Sequence, residues 1–185
     1  VKIYTRQGDD GTTGLFYGGR VDKDATAPTA CGDIDEAVAC IGLARAETEP
    51  GSPLNDELLR LQRSLFVAAA EIATAPVNHS KLIDGESRVT TGMVAELEAS
   101  IDDATAGREL PREFLVPGSN RLGAALDLSR AVVRRAERDA VTHCRGGGYE
   151  DSQVLPFLNR LADYLWVLAR AAEESWTSSK EKDPS

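Results

Sequence analysis

The chain has 185 residues, 42% hydrophobic and 28% charged, with a formal net charge of −9 at pH 7. This is the composition of one globular domain with a real core and not of a disordered chain, and so acidic a protein repels a nucleic-acid backbone. No apolar run approaches the ~18 residues a membrane span needs, and Val1-Lys2-Ile3-Tyr4 leads straight into patterned sequence, so no signal peptide is expected. The expected setting is the cytoplasm, with neither nucleic acid nor membrane as partner. Cys31, Cys40 and Cys144 show no C-x-x-C spacing, so they are expected as buried free thiols, without a zinc site or a disulfide framework.

Taken in chain order, residues 3–20 are rich in Gly and Thr, with β-compatible pieces at Ile3-Tyr4-Thr5 and Leu15-Phe16-Tyr17. Beyond Pro28 the pattern is helical. The first helix is predicted over 29–48, with Ile34, Val38 and Ile41 on one apolar face. The second covers 53–74, opening on Pro53 and lined by Leu58, Leu61, Leu65, Ala68 and Ile72. Residues 75–89 read as a loop, and the third helix covers 90–106. The fourth runs 119–145, with Ser119 as its cap and Gly146-Gly147-Gly148 as its stop. The fifth runs 151–176, and the polar residues 177–185 are expected to fray. The fold class that follows is all-α: a five-helix antiparallel bundle with a short glycine-rich N-terminal segment. It forms a single domain, with residues 1–27 as an N-terminal loop, 28–176 as the bundle and 177–185 as the tail.

An anionic ligand can bind an acidic protein only where cations gather. Thr5-Arg6-Gln7-Gly8-Asp9-Asp10-Gly11-Thr12-Thr13-Gly14 combines turn-forming glycines, hydroxyls and one Arg. It reads either as an anion cradle or as a plain glycine-rich turn, and it is no Walker A loop. On a helix with a turn of roughly 100° per residue, Arg130, Arg134 and Glu137 share a face with Arg138 beside them, while Arg135 points elsewhere. That stripe can grip phosphate bidentately or be a solvated face of ion pairs. Asn159 and Asp163 lie one turn apart beside the apolar stripe of the fifth helix. There Asn159 either binds a ligand or ties helices together. Asp35 is a candidate partner for an Arg of another helix or subunit, or simply an acid in a first helical turn. Phe114, just before a turn and a helix start, reads as core, as a hydrophobic staple or as a wedge at a ligand site. His79 and His143 stand in no metal-binding pattern, and no nucleophile motif occurs.

The order of these motifs resembles the PduO-type ATP:cob(I)alamin adenosyltransferases. The matching residues are Thr5-Arg6-x-Gly8-Asp9-x-Gly11-x-Thr13, Gly32-x-x-Asp35-Glu36, Phe114-x-x-Pro117-Gly118, Arg134-Arg135-Ala136-Glu137-Arg138 and Leu158-Asn159-Arg160-Leu161-x-Asp163-Tyr164-Leu165. The resemblance covers about residues 2–175. It implies a homotrimer with active sites at subunit interfaces. It implies that Thr5, Arg6, Gly8, Asp9, Gly11 and Thr13 surround ATP, that Arg134, Glu137 and Asn159 bind it, and that Mg²⁺ sits on its phosphates. Asp35 and Arg130 would form an intersubunit salt bridge near the corrin, and Phe114 would displace the lower axial ligand of cobalt. Cob(I)alamin then attacks the 5′ carbon of ATP and triphosphate leaves. Cobalt is the nucleophile, in keeping with the missing side-chain nucleophile motifs. A reductase and a cobalamin-dependent enzyme are the implied protein partners.

The chain departs from the family pattern in three places. Residues 24–28 carry no Arg, so Lys23 is the candidate substitute at the nucleotide; Cys31 stands where an aromatic is common; and the tail holds no Phe. The competing readings are a cobalamin- and ATP-binding escort with little turnover, and a purely structural bundle.

Overall fold

The computed structural model describes residues 3–180; Val1, Lys2 and residues 181–185 of the predicted N-terminal segment and tail lie outside the described residues. In chain order the elements are β1 (Thr12–Gly14), β2 (Arg20–Asp22), α1 (Thr26–Ala46), α2 (Pro53–Ile72), α3 (Thr91–Thr105), β3 (Leu115–Val116), α4 (Arg121–Cys144), α5 (Val154–Ala171) and β4 (Thr177–Ser178), with a short 3₁₀ helix at Pro76–Lys81. The five long helices are the predicted bundle. α4 packs between α1 and α5, α2 lies against α1, and α3 lies against α5.

Apolar residues at helical spacing make the core. Ile34, Ile41, Leu58, Leu61, Leu65, Leu126, Phe157, Leu158, Leu161 and Leu165 are all buried. Ala30, Ala37 and Ala44 recur every seventh residue of α1 and are buried, as are Ala136 and Ala140 of α4. Small side chains let two helix backbones approach closely.

The helix ends correct the sequence reading. α1 starts at Thr26 and not at residue 29. Pro28 falls in its first turn, where a missing N–H costs no helical hydrogen bond. The cap of α4 is Asn120 and not Ser119: its Oδ1 accepts from the Gly123 N–H at 2.7 Å. Its Nδ2 donates to the Ala172 carbonyl at 2.6 Å, so one side chain closes the start of α4 and the end of α5. α5 is shorter than predicted at both ends. Ser152 turns back through its N–H to the Tyr149 carbonyl at 3.0 Å, and past the last turn Glu173 folds onto Arg170.

The strands were also misplaced. β1 and β2 pair antiparallel, Thr12 opposite Asp22 and Gly14 opposite Arg20. Leu15-Phe16-Tyr17, predicted as a strand, is the tip of that hairpin, and Ile3-Tyr4-Thr5 joins no strand. The tip docks on the end of α2, where the Phe16 N–H donates to the Ala73 carbonyl at 2.9 Å. Nor does the described tail simply fray. Val116 pairs with Thr177 and Leu115 with Ser178.

Gly148 has φ +85°, and a Cβ there would lie 2.6 Å from Cβ of Pro76. Gly107 has φ +68° and open space around it. Gly107→Ala is expected to destabilise by about 1–2 kcal/mol, the backbone cost alone, and Gly148→Ala by about 2–4 kcal/mol through the added overlap. Urea unfolding midpoints of the two variants measure the difference.

Candidate active site

The predicted charged stripe forms on α4 and opens onto a cavity of about 410 Å³. Arg134, Glu137, Arg138, Thr142 and Arg145 line it from the α4 side, and Asn159 of α5 closes it. Asn159 Nδ2 donates to Glu137 Oε1 at 3.2 Å, while its Oδ1 accepts from Arg160 Nη1 at 2.7 Å. Asn159 therefore ties α4 to α5, as the helix-tying alternative has it, and also lines the cavity. Arg138 donates to the Arg134 carbonyl at 2.8 Å. Thr142 and Arg145 were missed, although extending the 134–138 spacing by one and then two more helical turns reaches them. Arg135 turns away, as expected, and binds Asp33 at 3.1 Å and Glu36 on α1.

A second cavity, of about 400 Å³, lies further toward the α4 N-terminus. It is lined by Phe114, Leu115, Asp127, Arg130, Trp166 and Arg170, among others. Phe114 is 87% exposed, which rules out the core and staple readings and leaves an aromatic ring presented at the cavity. Asp127, Trp166 and Arg170 were not singled out in the sequence. Arg130 and Arg134 are four residues apart, about 6 Å along the helix axis, so the cationic cavity and the half-apolar one are neighbours on one stripe.

Asp35 sits in the third turn of α1, which excludes the first-turn reading. It is exposed, and among the described residues no ion pair joins it to Arg130. The N-terminal residues also stand apart: none of Thr5, Arg6, Gly8, Asp9, Gly11, Thr13 and Lys23 lines either cavity within the chain. They are nonetheless shaped. Arg6 has φ 62° and Gly11 φ 83°. The Arg20 guanidinium donates to the Gln7 carbonyl at 2.6 Å and to Thr12 Oγ1 at 2.5 Å. Lys23 donates its backbone N–H to the Gly11 carbonyl at 2.9 Å, and its Nζ would lie 3.1 Å from a Cβ on Gly8. The absence of a side chain at Gly8 is what admits the Lys23 ammonium against the loop.

Among the described residues no cluster of three or more His, Cys, Asp or Glu could hold a metal ion. Among the described residues Glu137 is the one carboxylate lining the cationic cavity. No helix among the described residues is long and apolar enough to cross a membrane.

Residues 3–172 match the family model described as cobalamin adenosyltransferase. The chain belongs to that family. Relatives include corrinoid adenosyltransferases of Mycobacterium tuberculosis strain H37Rv, 40% identical over 174 residues (93% of this chain, 89% of that protein), and of Bacillus subtilis, 38% identical over 173 residues (92% and 86%). A human corrinoid adenosyltransferase is 38% identical over 175 residues, 92% of this chain and 68% of that protein. Among solved structures, a variant of the PduO-type ATP:corrinoid adenosyltransferase from Lactobacillus reuteri, complexed with cobalamin and ATP, superposes with a TM-score of 0.86 at 28% identity. That match covers 97% of this chain and 100% of the other.

In this cobalamin adenosyltransferase the three cysteines are free, but only Cys40 is fully buried; Cys31 and Cys144 are half-buried, which corrects the expectation for two of them. Burial pushes the thiols of Cys31 and Cys144 up to about 11, so neither is a nucleophile at neutral pH. His143 links the base of the N-terminal segment to the bundle. Its Nδ1 lies 2.9 Å from Thr26 Oγ1, its Nε2 lies 2.9 Å from Tyr149 Oη, and Tyr149 donates onward to the Thr74 carbonyl at 3.0 Å.

Burial first, and nearby His79 second, hold His143 below its ordinary value of 6.5. As pH falls the unfolded chain therefore takes up this proton before the native one. The contribution to stability is complete above about pH 6.5 and is lost as pH drops through the lowered native value. Thermal midpoints are expected to fall below that pH, and His143→Gln should flatten this part of the profile. An unchanged slope in the variant assigns the proton to another group.

Proposed function

We propose that the two cavities along α4 are the nucleotide and corrinoid halves of one active site. The reaction is the adenosylation of cobalamin. Cob(I)alamin donates its electron pair to the 5′ carbon of ATP, the C5′–O bond breaks, and triphosphate departs with the bonding pair. The observation that carries the reading is adjacency: a cationic cavity for a polyanion lies one helical turn from a cavity fronted by an exposed aromatic. The Lactobacillus reuteri protein of the same fold is described as complexed with cobalamin and ATP.

Arg134 grips the phosphates and stabilises charge on the departing triphosphate. Glu137 and Asn159, already bonded to one another, orient the nucleotide, and magnesium travels with the phosphates. Thr5, Arg6, Gly8, Asp9, Gly11, Thr13 and Lys23 form the flap over ATP. Lys23 supplies the cation missing from residues 24–28. Phe114 takes the lower face of the corrin, where a ring without a ligand atom favours loss of the axial ligand and easier reduction of cobalt. Such reduction calls for an electron donor, the expected reductase, ahead of the cobalamin-dependent enzyme that uses the product.

The site is completed by a second chain. The flap lies off the cavities of its own chain, and Asp35 is exposed with no ion pair among the described residues. A homotrimer in which one subunit offers Asp35 and the flap to Arg130 and Arg134 of the next satisfies both. Exposed Leu43 and Phe66 on α1 and α2 supply apolar surface for such an interface. Three free cysteines among the described residues suit a reducing cytoplasm.

Mixing ATP and magnesium with chemically reduced cobalamin should discharge the cob(I)alamin absorbance at a rate proportional to protein. Binding of both ligands without turnover would favour the escort reading, and no affinity for magnesium-ATP at millimolar concentration would overturn the site. Arg134→Ala is expected to weaken ATP binding about 10- to 100-fold, the loss of a charge-assisted hydrogen bond. In Phe114→Ala, cobalamin turnover should drop by more than about tenfold while ATP affinity changes less than about twofold; equal losses would remove the wedge role. Asp35→Asn should slow turnover and shift the mass measured by light scattering toward monomer.

A further inference from the structure

We propose that Asp127 is a positioning residue for the corrinoid half of the site, acting through Arg130 and itself fixed by buried Arg170. The inference rests on the reading of Arg130 given above.

Arg170 of α5 has a side chain only 4% exposed. Its Nη2 donates to Asp127 Oδ2 of α4 at 2.5 Å, and its Nε donates to Glu173 Oε2 at 2.9 Å. The guanidinium carbon also lies 5.7 Å from the centroid of Trp166, at the wall of the Phe114 cavity. Both carboxylates are nearly inaccessible, Asp127 at 5% and Glu173 at 2%. Glu173 is pressed onto α4 where Gly123 leaves room: a Cβ there would stand 2.7 Å from Oε1. One oxygen of Asp127 is thus locked.

The other oxygen, Oδ1, faces Arg130 Nε at 3.7 Å. That Nε is buried and has no hydrogen-bond partner among the described residues. Asp127 and Arg130 are one turn apart on α4, so the carboxylate holds the inner part of a side chain that is 34% exposed overall. Among the described residues no hydrogen bond holds the outer part of the guanidinium, which lies at the cavity. A buried ion pair between two helices can often be exchanged for apolar packing without loss of stability. What apolar packing could not supply is the second carboxylate oxygen beside Arg130, and this makes a purely structural role insufficient.

The test is a kinetic cycle on the full-length protein, with ATP and cob(I)alamin varied in turn. Asp127→Asn keeps the shape and removes the charge. It is expected to lower kcat/KM for cob(I)alamin about tenfold while moving KM for ATP less than about twofold. Introduced into Arg130→Ala, it should add less than about a further twofold, because the effect runs through Arg130. Arg170→Lys keeps the charge but cannot bridge both carboxylates, and should reproduce the same selective defect. It carries the test if Asp127→Asn does not fold. Equal losses toward both substrates, or a full additional loss in the Arg130→Ala background, would overturn the proposal. If Arg130→Ala alone leaves cobalamin kinetics unchanged, the corrinoid role of Arg130 falls, and this proposal with it; an impaired Arg130→Ala with additive Asp127→Asn removes only the latter.

Discussion

Two sets of ion pairs grip α4 from opposite sides. Arg135 reaches Asp33 and Glu36 of α1, and Asp127 receives Arg170 of α5. Ala27, Ala30, Ala37 and Ala44 make up much of the buried face of α1, and Ala136 and Ala140 are buried on α4; such small and similar contours resist sliding only weakly. Each residue of slip along α4 moves its side chains about 1.5 Å axially and turns them by roughly 100°. Arg130, Arg134 and Glu137 would leave their common face at the first such step. The ion pairs fix the register that the alanines leave soft, and the placement of Arg130, Arg134 and Glu137 inherits its accuracy from them.

An acidic molecule that takes up a polyanion faces a conflict in its own charge. The resolution is local. Arg134, Arg138 and Arg145 are gathered at one cavity, with Glu137 engaged by Asn159, while most of the carboxylates lie elsewhere. The surplus of acid weakens binding of nucleic acid, while the lining of this cavity stays locally cationic. Arg135, although adjacent in sequence, adds little to that field because two α1 carboxylates neutralise it.

Helical periodicity made most of the bundle legible, because the burial of Leu58, Leu61, Leu65, Leu158, Leu161 and Leu165 depends on spacing alone. The divergence of Arg135 from Arg134 followed from the helical turn. Ends were harder. Ser119 and Asn120 are both good caps, and only the approach of Ala172 decides for Asn120. The β-hairpin escaped because its strands are three residues each, and Leu15-Phe16-Tyr17 look strand-like although Tyr17 has φ 52°. Asp127 and Arg170 were illegible as a pair: charged residues on helices usually face water, and nothing local announces that two residues 43 positions apart meet at 2.5 Å. The exposure of Phe114 was one of three readings, separable only in three dimensions. The flap and Asp35 were legible as motifs through family resemblance, whereas their separation from the α4 cavities belongs to the folded chain.

The short β3–β4 ladder has a bearing on how this chain can diverge. The Ser179 N–H donates to the carbonyl of Phe114 at 2.8 Å, so the far end of the polypeptide fastens the loop that presents the aromatic ring. That fastening uses main-chain atoms, apart from the contact of Ser178 with Glu113. Almost any pair of residues can extend a two-rung ladder, so mutation can rewrite the letters after Trp176 while leaving the aromatic where it is. Insertions or deletions in the same stretch would not be so forgiving, because they shift which amide meets which carbonyl. Evolutionary drift there should be free in composition and constrained in length, so the segment after Trp176 can hold the Phe114 loop whatever side chains it carries.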